Sequence, residues 1–357
     1  MVTKILKKVK LVLEDESIFY GYSFGYEKSV SGEVVFNTGM VGYPESLTDA
    51  SYKGQILVLT YPLIGNYGVP GNEKEDGLLK NFESDKIQIT ALIVSDYSFN
   101  YSHWNAKRSL ACWLKEHKIP GIYGVDTRAL TKKLREKGTM LGKIVFEEDI
   151  EFEDPNKRNL VSKVSIKEPI LYEKGNLRIV IIDCGVKNNI IRAFTKRNIT
   201  VIRVPWDYNF LKKDFDGLVI SNGPGDPKMC KETIENVKKA LDQNIPTLGI
   251  CLGSQILGLA IGAETYKLKY GHRSQNQPCM LSETKKCYIT SQNHGYAVKA
   301  ETLPKDWEEW FYNNNDETNE GIKHKTKPFF GSQFHPEASP GPDDTEFIFE
   351  EFIKAIK

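Results

Sequence analysis

The sequence predicts an α/β protein in two parts: an N-terminal mixed α/β domain rich in strands, and a C-terminal open, mostly parallel sheet with helices on both faces. Three observations predict this fold. The length of 357 residues suggests more than one domain. Before about residue 150, short apolar runs are separated by Gly, Pro, Asn and Asp, a pattern typical of strands and turns. After residue 177, apolar strand-like runs alternate with helical segments, which is the order of βαβ units.

The N-terminal part combines short strands with two helical segments. Apolar residues recur at helical spacing in 109–116 and 128–136, and Asp126 or Thr127 is suited to cap the second segment. A mixed α and β domain over residues 1–150 follows from this pattern. Its predicted strands are 9–13, 32–36, 55–60 and 87–94.

A charged stretch separates the two parts. Acidic residues crowd positions 147–154, apolar periodicity weakens there, and Pro155 breaks any helix. We therefore predict a solvated linker over 151–176, followed by a C-terminal domain over 177–357.

The C-terminal part shows the alternation most clearly. Each apolar run ends in a turn and is followed by a helical segment, so a parallel sheet covered by helices is expected. The predicted strands are 178–183, 201–204, 217–220, 246–250, 288–290 and 329–333, and the predicted helices are 188–196, 232–243, a stretch after residue 252, and 345–356.

Composition excludes several classes of function. Lys plus Arg number 48 and Asp plus Glu number 47, so the net charge of +1 gives no excess positive field for nucleic acid or an anionic membrane surface. Six cysteines without CxxC spacing predict no metal site and fit a reducing cytoplasm. Residues 245–263 carry no charge, but Pro246, several glycines and the polar Ser254 and Gln255 argue against a membrane span.

One string predicts a nucleophile. Gly249-Ile250-Cys251-Leu252-Gly253 lies between a buried strand and a helix, the layout of a nucleophile elbow with Cys in place of Ser. Glycines without Cβ let neighbouring backbone approach the strained turn. Cys251 then lies at a helix N-terminus, where unpaired N–H groups favour a thiolate.

A base and an orienting group follow downstream. Pro336 disfavours helix at His335, so the segment is extended and His335 and Glu337 point to the same side. Glu337 can hold one imidazole nitrogen while the other faces the thiol, which completes a Cys, His, acid triad. The turn Gly223-Pro224-Gly225 and the N–H of Leu252 can supply donors to a developing oxyanion. Neither a Walker sequence nor a GxGxxG loop opens a helix there, so no nucleotide site is predicted.

Together these motifs resemble the class I, triad-type glutamine amidotransferases over residues 177–357. The resemblance implies hydrolysis of glutamine: Cys251 attacks the side-chain amide, ammonia departs, and water releases glutamate from a thioester. Further motifs are similar to the small subunit of carbamoyl-phosphate synthetase and extend the resemblance over almost the whole chain. They are Gly32-Glu33-Val34-Val35-Phe36-Asn37-Thr38, Gly42-Tyr43, Leu47-Thr48-Asp49-Ala50-Ser51-Tyr52, Thr60-Tyr61-Pro62, Gly65-Asn66, Asp126-Thr127-Arg128, Gln292-Asn293-His294-Gly295-Tyr296 and Pro336-Glu337-Ala338-Ser339-Pro340-Gly341-Pro342.

The resemblance also implies residue roles. Catalysis falls on Cys251, His335 and Glu337. Two positions depart from the family pattern: Ser254 stands where His is usual, and Ser274 stands where Gly is common. The implied glutamine contacts are Ser51, Gly223, Gly225, Leu252, Gln255, Asn293, Gly295 and Tyr296.

The implied assembly is a glutaminase subunit that delivers ammonia to a large synthetase subunit. That partner would make carbamoyl phosphate from bicarbonate and ATP for arginine and pyrimidine synthesis, and the N-terminal domain would dock against it. No cofactor is expected in this chain, since ATP and metal would belong to the large subunit. Two alternatives remain open at this point: another cysteine hydrolase of the same fold, such as a γ-glutamyl hydrolase or peptidase, and an inactive regulatory module.

Overall fold

The chain divides into two units in the computed structural model, which describes residues 7–357. The first unit ends at Lys157, and the second runs from Arg158 to Lys357. The predicted N-terminal domain therefore begins, with residues 1–6, outside the described residues.

A closed β-barrel forms the centre of the first unit. Alternate residues of its first strand, Val9, Leu11 and Leu13, are buried, as expected for a strand with one face inside. The strands of this unit are β1 (Lys8–Leu13), β2 (Ile18–Ser23), β3 (Val30–Asn37), β4 (Gln55–Leu59), β5 (Leu63–Ile64), β6 (Val69–Pro70), β7 (Lys74–Glu75), β8 (Leu78–Leu79), β9 (Ala91–Ile93), β10 (Asp96–Tyr97), β11 (Ala106–Arg108), β12 (Gly121–Tyr123) and β13 (Met140–Val145). The barrel order is β1-β13-β3-β4-β9-β12-β2.

Helices cover the outside of the barrel. Leu110 and Trp113, on the second helix, pack into one apolar cluster with Leu57 of β4. The third helix begins after Asp126, whose carboxylate accepts a 2.8 Å hydrogen bond from the N–H of Ala129, so the predicted N-cap is present. The helices are α1 (Tyr43–Thr48), α2 (Leu110–Glu116) and α3 (Thr127–Lys137), with 3-10 turns at Ala50–Tyr52 and Pro155–Lys157.

A ten-stranded sheet forms the second unit. Its strands are β14 (Ile170–Tyr172), β15 (Arg178–Asp183), β16 (Thr200–Pro205), β17 (Gly217–Ile220), β18 (Thr247–Ile250), β19 (Thr265–Leu281), β20 (Cys287–Val298), β21 (Trp307–Asn313), β22 (Asn319–His324) and β23 (Phe329–Ser332). The order is β14-β16-β15-β17-β18-β23-β22-β21-β19-β20. Strands β16, β15, β17, β18 and β23 are parallel neighbours, as predicted, whereas β22, β21, β19 and β20 add an antiparallel half.

Helices lie on both faces of the parallel half. Val180 and Leu218 share a buried cluster with Val237 and Ile256 from two helices on one face. On the other face, a Cβ at Gly217 would lie 3.0 Å from the ring of Phe352 in the last helix. The fold class is therefore the predicted one. The helices are α4 (Val161–Val164), α5 (Asn188–Thr195), α6 (Lys231–Asp242), α7 (Leu252–Ala260) and α8 (Phe347–Ala355), with 3-10 turns at Phe210–Lys212, Pro227–Met229 and Ala300–Thr302.

The predicted linker differs from the structure, whereas the uncharged segment 245–263 forms a strand and a helix, as predicted. The segment 151–176, predicted as a linker, contributes α4 and the edge strand β14, which pairs antiparallel with β16. The uncharged segment 245–263 forms β18 and the nine-residue α7, both buried in the second unit. Across residues 7–357, the helices are too short or too polar to cross a bilayer.

The cap of α3 yields a stability prediction. Replacing Asp126 with Ala removes the acceptor for the Ala129 N–H, and we expect a loss of about 1 kcal/mol in the free energy of unfolding, measured by urea denaturation. Asp126→Asn is the matched control, because an Asn side chain keeps the acceptor oxygen and should retain most of the stability. Equal losses in both variants would show that the cap does not stabilise α3.

Candidate active site

Cys251 occupies a sharp corner between β18 and α7. Its backbone has φ 54° and ψ −106°, a strained conformation for a residue with a Cβ, and it is 1% exposed. Two glycines make the corner possible. A Cβ at Gly253 would lie 2.0 Å from the carbonyl oxygen of Ile220, and one at Gly249 would lie 2.5 Å from the carbonyl oxygen of Gly253. The Gly-x-Cys-x-Gly spacing is therefore a steric requirement, because a side chain at either glycine would clash with neighbouring backbone.

His335 is supplied by the neighbouring parallel strand. Strand β23 pairs with β18 so that Ile250 lies opposite Ser332, and the N–H of Cys251 donates a 2.7 Å hydrogen bond to the carbonyl of Ser332. The carboxyl ends of both strands therefore meet at one edge of the sheet. His335 follows β23 by three residues, and its own N–H donates to the carbonyl of Ser291 on β20.

Glu337 orients the imidazole of His335. The Nδ1 of His335 and the Oε1 of Glu337 lie 2.6 Å apart, and both residues are 2% exposed. The Nε2 of His335 is buried without a hydrogen-bond partner among the described residues. Burial alone would lower the pKa of His335, but the charges of Glu337 and of the adjacent Cys251 sulfur outweigh it and raise that pKa. The raised pKa favours the protonated imidazole beside Glu337.

The sequence analysis missed a lysine, Lys187, that belongs to the same group of charges. We call His335, Glu337 and Lys187 the charge array. Lys187 directly precedes α5, and its Nζ lies 3.0 Å from the Oε1 of Glu337 and also donates to the carbonyl of Ala338. Burial would raise the pKa of Glu337, but Lys187 and His335 together hold it well below its usual range. The available signal was a lysine placed four residues after a buried strand, at the edge of the sheet that carries Cys251.

The predicted oxyanion donors lie beside the corner. Gly225 has φ +85°, and a Cβ at Gly223 would lie 2.1 Å from the carbonyl oxygen of Cys184 and 2.8 Å from the side chain of Leu252. The glycine turn therefore packs against the start of α7. The N–H of Leu252 is in the first helical turn, where backbone donors have no intrahelical acceptor.

Four more of the predicted glutamine contacts lie on α7 and β20: Gln255, Asn293, Gly295 and Tyr296. The Nε2 of Gln255 donates to the carbonyl of Tyr296 at 2.7 Å and to the Oε1 of Gln333 at 3.1 Å. The Sγ of Cys251 lies 3.6 Å from the carbonyl of Asn293. Gly295 stands between Asn293 and Tyr296 in the same strand. These amide, hydroxyl and main-chain groups can bind a small polar substrate.

Ser51 belongs to the first unit, and its predicted contact role stays a prediction. It lies in the 3-10 turn Ala50–Tyr52, is buried, and its N–H donates to the Asp49 carboxylate at 2.9 Å.

The two departures from the family pattern, Ser254 and Ser274, are both buried. The Ser254 hydroxyl lies against Gly331, where a Cβ would come within 2.6 Å of it.

Family models match both units of the chain. The class-I glutamine amidotransferase model matches residues 180–355, and the model of the carbamoyl-phosphate synthase small chain matches residues 11–144. The chain is also similar to a glutamine amidotransferase structure from Thermotoga maritima, at 21% identity and a TM-score of 0.39, covering 50% of this chain and 81% of that one.

Curated relatives match almost the full chain. The multifunctional protein CAD of Squalus acanthias is 56% identical over 97% of this chain and 16% of its own length. The mitochondrial carbamoyl-phosphate synthase (ammonia) of Homo sapiens is 52% identical over 97% of this chain and 24% of its own length. This chain therefore spans a quarter or less of the length of these relatives.

The charge array predicts how Cys251 reacts with an alkylating agent. Glu337→Gln removes the charge that raises the pKa of His335, so the cationic form of the imidazole is destabilised. We expect iodoacetamide to modify Cys251 about tenfold more slowly at pH 7, because a cationic imidazole beside the sulfur assists its reaction. Peptide mass spectrometry separates Cys251 from the exposed Cys112 and Cys287.

The matched control for this experiment is Glu309→Gln. Glu309 is a partly buried carboxylate of the same unit that accepts a hydrogen bond from Asn319. Alkylation of Cys251 should be unchanged in this variant. An equal slowing in both variants would mean that general destabilisation, rather than the His335 pair, controls the thiol.

Proposed function

The chain belongs to the carbamoyl-phosphate synthase small-chain family, whose C-terminal part is a class I glutamine amidotransferase, and from this premise we propose that it hydrolyses L-glutamine. The observation that carries the proposal is the convergence of Cys251, His335 and Glu337 at one sheet edge. Ammonia would pass to a large carbamoyl-phosphate synthetase subunit, which uses bicarbonate and ATP. The carbamoyl phosphate formed would serve arginine and pyrimidine synthesis.

The geometry supports a two-stage reaction. The Cys251 sulfur attacks the side-chain amide carbon of glutamine, and the N–H groups of Leu252 and Gly225 stabilise the resulting oxyanion. The Nε2 of His335 gives its proton to the departing nitrogen, so ammonia leaves and a thioester remains. His335 then takes a proton from water as the water attacks the thioester, and glutamate leaves while the sulfur is restored. Glu337 and Lys187 keep the imidazole in place through both stages.

Substrate binding uses the neighbouring polar groups. Ser51, Gly223, Gly225, Leu252, Gln255, Asn293, Gly295 and Tyr296 are the proposed glutamine contacts. Those of the second unit offer main-chain donors and acceptors beside Cys251, which suits the amide, α-amino and α-carboxylate ends of one amino acid.

Exposed apolar side chains support docking of a partner on the first unit. Three of its loops are joined by hydrogen bonds: Tyr67 accepts from the N–H groups of Gly42 and Tyr43, and the N–H of Ser102 donates to the carbonyl of Asn66. Isolated apolar residues on a surface are normal, but a group of this kind marks an interaction site. We name it the apolar loop surface: Met40 (64% exposed), Val41 (60%), Leu63 (42%), Phe99 (52%), Tyr101 (39%) and Trp104 (87%).

The cytoplasm is the proposed compartment. All six cysteines are unpaired thiols, which fits a reducing environment. Some relatives are named as mitochondrial proteins, so subcellular fractionation is the direct measurement for this chain.

A serine substitution tests the glutaminase proposal. In the complex with the large subunit, Cys251→Ser should lower glutamine-dependent carbamoyl phosphate formation at least about a thousandfold, because the hydroxyl is a far weaker nucleophile beside the same imidazole. Ammonia-dependent formation should stay near the wild-type rate. Cys112→Ser, at an exposed thiol, is the control and should change neither rate. Loss of both rates with Cys251→Ser would assign a structural role to the residue.

A second candidate is suggested by the relatives named for ammonia: a chain that retains the fold without hydrolysing glutamine. The complete Cys251, His335 and Glu337 arrangement favours hydrolysis. Glutamate release by the wild-type complex decides between the two, and an absence of release would favour the second candidate.

The apolar loop surface predicts the site of partner binding. Trp104→Ser should weaken binding of the large subunit about tenfold in a titration followed by calorimetry, because a large exposed aromatic side chain is typical of an interface hot spot. Leu171→Ser, which removes a 59% exposed apolar side chain from β14, is the control and should bind normally. Unchanged binding by the Trp104 variant would place the partner elsewhere.

A further inference from the structure

A cluster of charged and polar side chains, all buried except Asp316, lies next to the part of β20 that carries the proposed glutamine contacts. We call it the histidine cluster: His272 on β19, His294 on β20, Glu320 on β22 and Asp316 in the turn before β22. His272 and His294 are directly opposed across the β19–β20 ladder, with ring centres 5.0 Å apart and planes at 85°. The catalytic steps above use none of these side chains.

Both ring nitrogens of His272 face carboxylates. Its Nδ1 lies 3.0 Å from the Oε1 of Glu320, and its Nε2 lies 2.9 Å from the Oδ2 of Asp316. An ionised carboxylate only accepts hydrogen bonds, so when Glu320 and Asp316 are both ionised both ring nitrogens carry hydrogen and the ring is an imidazolium. Burial would lower the pKa of His272, but the two carboxylates outweigh it and raise the pKa to about 9.

Glu320 depends on this imidazolium. Its side chain is wholly buried, and its Oε1 also accepts a 3.1 Å hydrogen bond from Asn313. Its Oε2 has no hydrogen-bond partner within the described part of the chain, and the Nε2 of His294 lies 3.8 Å from it. Because removing one member of a buried ion pair leaves an uncompensated charge, His272 is the group that keeps Glu320 in place.

The cluster shares one residue with the segment 292–296 of β20, because His294 belongs to both and its ring packs against that of His272. The Nε2 of His294 lies 3.0 Å from the Oε1 of Gln292, and its Nδ1 lies 2.9 Å from the carbonyl of Tyr296. The same Tyr296 carbonyl accepts the hydrogen bond of Gln255, and the Asn293 carbonyl faces Cys251. One strand segment is therefore held between the histidine cluster on one side and the candidate active site on the other.

We propose that His272 is a positioning residue for glutamine binding: as an imidazolium bridging Glu320 and Asp316, it fixes the segment 292–296 that presents Asn293 and Tyr296 to the substrate. This inference rests on the proposed glutaminase function. The side chains of His272, Glu320 and Asp316 bond to one another rather than to Cys251, His335, Glu337 or Lys187. The main-chain carbonyl of Glu320 accepts a hydrogen bond from the N–H of Gln333, beyond β23, but that bond does not involve the bridge to His272. Loss of the bridge should thus raise the KM for glutamine and change kcat little.

The same side chains have the chemistry of a metal site. Donor atoms of His272, His294 and Glu320 lie within 4.8 Å of one another, and imidazole and carboxylate ligands suit zinc. A metal on the Nδ1 of His272 would replace the hydrogen that Glu320 accepts. The imidazolium bridge and a bound zinc ion are therefore mutually exclusive, and metal analysis of the purified protein separates them.

The test compares glutamine hydrolysis by the complex with the large subunit in wild type and His272→Gln. We expect KM to rise about tenfold while kcat stays within about threefold. The matched control is His324→Gln, which removes another buried histidine of this unit, paired with Asp306 at 3.1 Å. Its KM should match the wild type. An unchanged KM in His272→Gln overturns the proposal.

A second variant separates positioning from folding. His272→Gln with Glu320→Gln removes both buried charges, so the thermal midpoint should recover toward wild type. KM should stay raised, since the paired amides no longer bridge to Asp316. Recovery of KM together with the midpoint overturns the proposal in favour of a structural role, and so does one zinc ion per chain. If the wild-type complex releases no glutamate, the proposed glutaminase function is wrong. That outcome is seen before any variant is compared, so it is distinguishable from a failure of the His272 proposal.

Discussion

The pairing of β18 with β23 is the constraint on which the candidate active site depends. Parallel register sets Ile250 opposite Ser332, and the hydrogen bond from Cys251 to the Ser332 carbonyl extends that pairing by one more residue. The nucleophile leaves its strand through a corner that only flanking glycines permit. The imidazole leaves the adjacent strand at the same edge. Two groups separated by more than eighty residues are thus brought together by backbone geometry rather than by a flexible loop.

The charges of Glu337 and Lys187 then determine the protonation of His335, which the backbone has placed near Cys251. A carboxylate and an imidazole buried together would carry a large desolvation cost, but Glu337 is bonded to both His335 and Lys187. Lys187 also binds the Ala338 carbonyl, so it ties the chain beyond Glu337 to the start of α5. This cation stabilises Glu337 but opposes the positive charge on His335, since it lowers the pKa of the imidazole while Glu337 raises it. The balance favours Glu337, which makes direct contact with the ring.

The parallel half of the second unit and the residues of the proposed triad, Cys251, His335 and Glu337, could be predicted because both have local signals in the sequence. Apolar runs, helical spacing and the glycines around Cys251 are properties of neighbouring residues. Strands β19, β21 and β22 were missed because they are rich in polar residues and have no alternating apolar pattern, so their partner strands determine them. Lys187 and the histidine cluster were missed for the same reason: their roles come from pairings across strands distant in sequence.

Two buried glutamates show why sequence alone does not assign a charge. Glu337 touches two cationic groups, and its pKa is lowered; Glu320 is equally buried, touches one imidazolium, and its pKa is raised. The ionised Glu337 therefore contributes stability that is present above its ordinary pKa and is lost only in strong acid. The pKa shift of Glu320 has the opposite sign. Its protonation sets in at a higher pH than for a free glutamate, and protonation removes the acceptor that His272 needs. Burial is complete for both side chains, so the difference in direction between the two pKa shifts depends on the cationic groups in contact with each carboxylate and not on burial.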